Sequence, residues 1–260
     1  MISIKKENEI KILKEGGKRL AFVMSELIKN VKVGVSTIEL DKLAYKLIKQ
    51  QNGEPAFLNY RPDKKSKPYP ASLCVSIDDE IVHCVPSEKR IIKNGDIVSL
   101  DIGMKYENLI TDMAYTVGVG KINDKAKKLI ETTKTALLSG IKEVKAGNHV
   151  GNIGFAVEKV AKENGFSVFR ELVGHGVGYE LHEEPFIPNF GFKGDGEKLE
   201  EGMVIAIEPM IGEGIGKIIS GEDGFTYKTK DGKRSAHFEH TIVVTKNGCE
   251  ILTKDKNLVY

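Results

Sequence analysis

Two runs in this 260-residue chain have the same form: Gly95-Asp-Ile-Val-Ser-Leu-Asp101 and Gly202-Met-Val-Ile-Ala-Ile-Glu208. In each, a glycine leads an apolar run that ends in a carboxylate, and a second carboxylate follows downstream, at Asp112 and Glu239. An acid at the end of an apolar strand is costly to bury unless something neutralises it. Taken singly, each of the four reads as an ordinary strand-end acid facing water. Together, at matched positions, they ask for a cation, because converging carboxylates repel one another.

Gly174-His-Gly-Val-Gly-Tyr-Glu-Leu-His182 supplies a further ligand candidate in His175. The flanking glycines leave its ring uncrowded and allow another group to approach the backbone closely. By itself the segment reads equally well as a glycine loop with a structural histidine. His175 and His182 lack the i,i+4 spacing of a helical zinc site. Four oxygen donors plus one imidazole suit Mn²⁺, Fe²⁺ or Co²⁺ as well as Zn²⁺, and are too many for one catalytic zinc. Two metal ions sharing carboxylates would use every charge, and such a pair activates water and stabilises a tetrahedral intermediate.

Four stretches of helical periodicity must position these residues. Ile10, Leu13, Gly17, Leu20, Met24 and Leu27 form one buried stripe of a long first helix. Ser36 and Glu39 form a capping-box pattern before a second helix, which Asn52-Gly53 stops. A third is expected over 123–142, and a fourth carries Val150, Ile153, Val157, Val160 and Ala161 and ends at Asn164-Gly165. Ile97–Leu100, Val204–Ile207 and Thr241–Thr245 read as strands. The Pro- and Lys-rich residues 61–70 read as a loop whose charges form a solvated surface.

The elements recur in order. Val31-Lys-Val-Gly34 and Val144-Lys-Ala-Gly147 each open a helix. His83-Cys-Val-Pro86 and His182-Glu-Glu-Pro185 follow, then the two strand-carboxylates and the two second carboxylates. This order predicts one domain over 1–260 built from an internal repeat, about 31–120 and 144–245. Halves packed about a pseudo-twofold axis would bring the paired carboxylates face to face.

Composition narrows the classes. Lys+Arg number 39 and Asp+Glu 37, so the formal charge of +2 gives no footprint for nucleic acid or an anionic membrane. Three separated cysteines, Cys74, Cys84 and Cys249, form no disulfide framework. The N-terminal segment has no signal-peptide pattern and no apolar run is long enough for a bilayer, so a cytoplasmic location is expected. Gly212-Glu-Gly-Ile-Gly-Lys217 fails as a phosphate loop, with Ile211 and Ile218 where glycine and Ser/Thr are needed. No Gly-x-Ser-x-Gly elbow supports serine hydrolase chemistry.

The motifs as a set resemble those of type I methionine aminopeptidases over nearly the whole chain. They are His83-x-x-Pro, Gly95-Asp-Ile-Val-x-x-Asp101, Thr111-Asp112, Gly174-His-Gly-x-Gly-x-x-x-His-Glu-Glu-Pro185, Gly202-Met-Val-x-x-Ile-Glu-Pro-Met210 and Ser235-Ala-x-Phe-Glu-His-Thr241. The resemblance implies a mixed α/β (α+β) "pita-bread" fold, two pseudo-twofold halves with a central, mainly antiparallel sheet covered by helices. It implies two divalent metal ions (Co²⁺, Mn²⁺, Fe²⁺ or Zn²⁺). Asp101 would bind one, His175 and Glu208 the other, and Asp112 and Glu239 would bridge them. It implies catalytic roles for His83, His182 and Glu208. His182 would contact the scissile carbonyl, His83 would position the substrate backbone, and Glu208 would shuttle a proton. Tyr60, Tyr69, Cys74 and Phe225 would line the substrate pocket beside His83 and His182.

The implied reaction is removal of an initiator methionine when the second residue is small. The expected partners are peptide or nascent-chain N-termini. Contact with the ribosome stays open, and a monomer is expected. The chain departs from the family pattern at Asp78, Cys84, Leu181, Phe225 and His237, and 61–68 has the look of an insertion. Two alternatives remain: a prolidase or Xaa-Pro aminopeptidase, which shares the fold and ligands, and a non-catalytic peptide-binding relative.

Overall fold

The computed structural model describes residues 2–256 and 258. Helix α1 spans Glu7–Asn30 and buries Leu13, Gly17, Leu20, Met24 and Leu27, the stripe that its sequence spacing predicts. Helix α2, Thr37–Gln50, starts at Ser36, where the expected capping box with Glu39 is formed. Helix α3, Asp124–Lys142, is capped by the Asn123 side chain, which accepts a hydrogen bond from the Ala126 N–H at 2.8 Å. Helix α4 covers Val150–Glu163.

The strands form four antiparallel sheets among the described residues rather than one continuous sheet. Two matter most for position. The first centres on a ten-residue hairpin, Ile97–Tyr106 against Leu109–Gly118, with Cys74–Ile77 on its other edge. The strand expected over Ile97–Leu100 thus runs six residues further, because a turn at Glu107 and Asn108, both at positive φ, closes it into a hairpin. The second sheet has the order Gly248–Ile251, His240–Thr245, Val204–Ile207, Val173–Gly176, Glu183–Pro188.

The same hydrogen bonds occur twice. Gly34 N–H donates to Ile92 O and Gly147 N–H to Leu199 O, both at 2.9 Å. Gly95 and Gly202, each leading a strand, donate to Val119 O and Val244 O. Val119 and Val244 donate back to Asp96 O and Met203 O. The halves are joined by buried threonines. Thr241 Oγ1 accepts from the Asp112 N–H at 2.8 Å and donates to Asp112 O at 2.7 Å. Thr116 Oγ1 does the same for the N–H and carbonyl of His237, at 2.9 and 2.7 Å.

Candidate metal centre

Antiparallel register sets the first two acids. Asp101 lies opposite Ala114 and Asp112 opposite Gly103, so alternation puts both carboxylates on one face as diagonal neighbours. In the other sheet His175 lies opposite Ala206, and Glu208 follows two residues beyond Ala206. Glu239 immediately precedes His240, which pairs with Ile207, and the Glu239 N–H donates to Ala114 O at 2.9 Å. That bond crosses between the sheets and sets Glu239 beside Asp112.

The glycines around His175 have a steric cause. A Cβ on Gly174 would stand 2.3 Å from Ala206 O, and one on Gly176 would stand 2.2 Å from Glu184 O. The neighbouring strands therefore close on the His175 strand from both sides only because side chains are missing there. His175 Nδ1 donates to Gly176 O at 2.9 Å, since a carbonyl can only accept, and this leaves Nε2 facing the acids.

Ligand atoms of Asp112, His175 and Glu239 all lie within 4.8 Å of one another. Asp101 and Glu208 border the same cluster and share the wall of one cavity with it. All four acids are buried, with Glu239 only 2% exposed. Burial and the neighbouring carboxylates push Asp101 and Glu239 well above the usual carboxylate range. Asp112 rises to about 7, mainly through burial. Burial also acts to raise Glu208, but the imidazoles of His175 and His237 outweigh it and hold Glu208 low.

Among the described residues, no lysine or arginine pairs with these acids; Glu208 meets histidines alone, His175 at 3.3 Å and His237 at 3.4 Å. Glu239 Oε1 has no protein hydrogen-bond partner. Buried like charges with an orphaned oxygen and an imidazole nitrogen turned toward them fit divalent cations. They fit nothing that the chain itself supplies.

The cavity holds about 620 Å³. Its walls include the expected His83, His182, Tyr60, Tyr69, Cys74 and Phe225 as well as all five expected metal-binding residues. His83 has φ +60°, a strained left-handed backbone for a non-glycine residue. Burial moves its pKa down to about 4. His182 is solvent-accessible at the cavity, yet the surrounding protein and the nearby His175 hold it below the ordinary histidine range. Phe225 packs edge-on against Tyr69, with ring centroids 5.5 Å apart. The loop expected to be solvated is largely exposed, but Pro62, Ser66 and Lys67 also form part of the cavity lining.

Sequence reasoning missed the close fit of His237 against Glu208, and the parts of Tyr227 and Thr241. Tyr227 packs its ring 5.8 Å from that of His83. Neither residue carries a spacing signal, because strand partners far apart in sequence bring them in. Cys84 is buried, and burial pushes its thiol up to about 12, so it is an inert neighbour of His83.

Residues 11–246 match the model of metallopeptidase family M24. Methionine aminopeptidase 1 of Bacillus subtilis (strain 168) is 43% identical over 254 residues, covering 98% of this chain and 100% of that protein. The crystal structure of methionine aminopeptidase from Thermotoga maritima superposes with a TM-score of 0.93 at 41% identity, over 98% of this chain and 100% of that one. The prolidase from Pyrococcus horikoshii OT3 is more distant, with a TM-score of 0.75 at 28% identity, over 97% of this chain and 64% of that one.

Proposed function

The chain belongs to metallopeptidase family M24, and from that membership we propose that it is a methionine aminopeptidase, hydrolysing the N-terminal methionine of peptides and nascent chains whose second residue is small. The observation that carries the reading is the convergence of Asp112, His175 and Glu239 on one wall of a cavity that also holds His83 and His182. Identity of 43% to a methionine aminopeptidase against 28% to a prolidase favours this reading over the Xaa-Pro alternative. The presence of all five acidic and histidine ligand candidates favours an enzyme over a silent binder.

Asp101, Asp112, His175, Glu208 and Glu239 would hold two divalent cations, with Asp112 and Glu239 shared. Co²⁺, Mn²⁺, Fe²⁺ and Zn²⁺ all suit the donor set. When bound, such a pair supplies Lewis-acid polarisation of the scissile carbonyl and acidifies the attacking water. The aromatic and apolar wall of Phe57, Tyr60, Tyr69, Cys74, Leu181 and Phe225 suits an unbranched, polarizable methionine side chain. His182, neutral, donates to the carbonyl oxygen as negative charge develops there. His83 holds the substrate backbone. Glu208, kept ionised by its two imidazoles, takes the proton that the water releases and returns it to the leaving amine. We read the chain as one domain of two related halves, 31–120 and 144–245, because the ligand set draws on both. Among the described residues, no helix is long and apolar enough to cross a membrane.

Incubating metal-reconstituted protein with Met-Ala-Ser, Met-Leu-Ser and Ala-Pro, with products followed by mass spectrometry, tests the reading. Methionine is expected from the first peptide alone. Cleavage confined to Ala-Pro would replace it with prolidase chemistry, and no cleavage with any of the four metals would leave a binding protein.

A further inference from the structure

His237 is 1% exposed, and neither ring nitrogen has a hydrogen-bond partner of good geometry in the protein. A buried histidine of purely structural use normally has at least one nitrogen satisfied. Its backbone leaves it little freedom. Both the N–H and the carbonyl are held by Thr116 Oγ1, and the residue pairs with Met210 in a strand ladder. Glu208 Oε2 lies 3.4 Å from His237 Nε2. The other oxygen of that carboxylate, Oε1, lies 3.3 Å from His175 Nε2. Glu208 thus lies between two imidazoles, one near each oxygen, while its main-chain carbonyl accepts from Asn189 Nδ2 at 3.0 Å.

The proton of a neutral imidazole can sit on either nitrogen. On Nδ1 it would be a buried N–H with no acceptor, the costlier kind of orphan; on Nε2 it faces a carboxylate oxygen. Glu208 lines the cavity with Asp112, His175 and Glu239 whereas His237 does not, so His237 stands behind Glu208. A carboxylate free to rotate can present either oxygen, or both, to a cation. With Oε2 toward His237 and Oε1 toward His175, Oε1 is the oxygen that faces the cluster.

We propose that His237 is a positioning residue that donates Nε2–H to Glu208 Oε2 and so fixes Glu208 as a one-oxygen ligand through Oε1. This rests on the reading of Glu208 as a metal ligand. Outer partners of this kind set metal affinity by roughly 10–100-fold.

The test uses the full chain, titrated with Mn²⁺ and Co²⁺ by calorimetry, with the visible spectrum of the Co²⁺ form recorded alongside. His237→Leu is expected to weaken the affected metal step at least about tenfold and to change the Co²⁺ bands, with the melting temperature of the metal-free protein unlowered. His237→Gln, whose amide can donate to the same oxygen, is expected to restore both. Unchanged affinity and spectrum in His237→Leu would overturn the inference. So would a loss in both variants that simply tracks a lower metal-free melting temperature. Should His237→Leu not fold, long-range ¹H–¹⁵N spectra of the unmodified protein decide. Retention of the His237 Nε2 proton on loading supports the inference, and its loss to a metal bond refutes it. Glu208→Ala separates the two layers. If it binds metal normally, the ligand reading of Glu208 fails; if it loses metal while His237→Leu does not, the role given to His237 alone fails.

Discussion

The Tyr60 hydroxyl oxygen stands 2.6 Å from His182 Nδ1, and the two rings meet edge-on with centroids 5.1 Å apart. Burial, chiefly, raises the Tyr60 pKa, so its hydroxyl keeps its proton and can donate it to Nδ1. The proton of the neutral imidazole then belongs on Nε2, the nitrogen free to meet a substrate carbonyl. On the proposed role of His182, Tyr60 would then do more than line a pocket: it would select the tautomer of His182. Tyr60→Phe is expected to lower kcat about 5–10-fold, the equivalent of one hydrogen bond of about 1 kcal/mol, with KM nearly unchanged. An unaltered kcat in steady-state assays would remove Tyr60 from this role.

The buried acids give the metal-free protein an unusual pH dependence. Asp101, Asp112 and Glu239 have pKa values raised above those of an unfolded chain, chiefly by burial. Between the unfolded and folded values the folded state binds more protons, so its stability falls as pH rises through that window. For Asp112 the window closes near its folded value of about 7. The metal-stripped protein is expected to melt lower at about pH 8 than at about pH 5, and added Mn²⁺ to reverse the order. Differential scanning fluorimetry with and without chelator measures this. A metal-free melting temperature that climbs steadily with pH would contradict it.

Loading should also release protons, because raised carboxyls must ionise to bind a cation. Calorimetric titrations of Mn²⁺ near pH 6, run in two buffers of different ionisation enthalpy, are expected to give different apparent heats. Identical heats in both buffers would show that the acids are already ionised in the metal-free state.

Thr241 ties the two halves together at Asp112, accepting and donating through one hydroxyl. Thr241→Val keeps the shape but strands the buried Asp112 N–H. A loss of about 1–3 kcal/mol in denaturant unfolding is expected, together with weaker metal binding. Thr241→Ser, which restores the hydroxyl, should recover most of both.

Gly176→Ala would place a methyl 2.2 Å from the Glu184 carbonyl on the neighbouring edge strand, next to His175. A cost of about 1–3 kcal/mol is expected, with metal affinity falling alongside stability. Chemical denaturation and calorimetry on the same preparation check both at once. A variant as stable as the parent would show that the Glu183–Pro188 strand yields easily.

Much of the site was legible in the sequence, because each part carries a local signature. Capping at Ser36, an acid just after the apolar strand at Glu208, and glycines beside His175 follow from rules that act over a few residues, whereas Asp101, expected at a strand end, lies in mid-strand. The matched order in the two parts of the chain supplied the pairing of Asp101 with Glu208 and of Asp112 with Glu239. Harder to read was anything set by contact between residues far apart in sequence. The ten-residue hairpin outran the expected strand because the Glu107–Asn108 turn is a backbone feature without a glycine to announce it.

His237 shows the division most clearly. The sequence marks it as an unusual residue two positions before Glu239, but nothing in its neighbours says what its ring touches. Strand register and the Thr116 clamp decide that it meets Glu208 Oε2. In the same way, spacing marks the four carboxylates and His175 as ligand candidates, and the family resemblance adds the roles expected of His83 and His182. The tertiary structure alone decides which oxygens converge, that Tyr60 meets His182 Nδ1, and how deeply the acids are buried. The reason is physical: residue types fix the chemistry available, whereas distance, desolvation and hydrogen-bond direction arise only when the two sheets pack against each other.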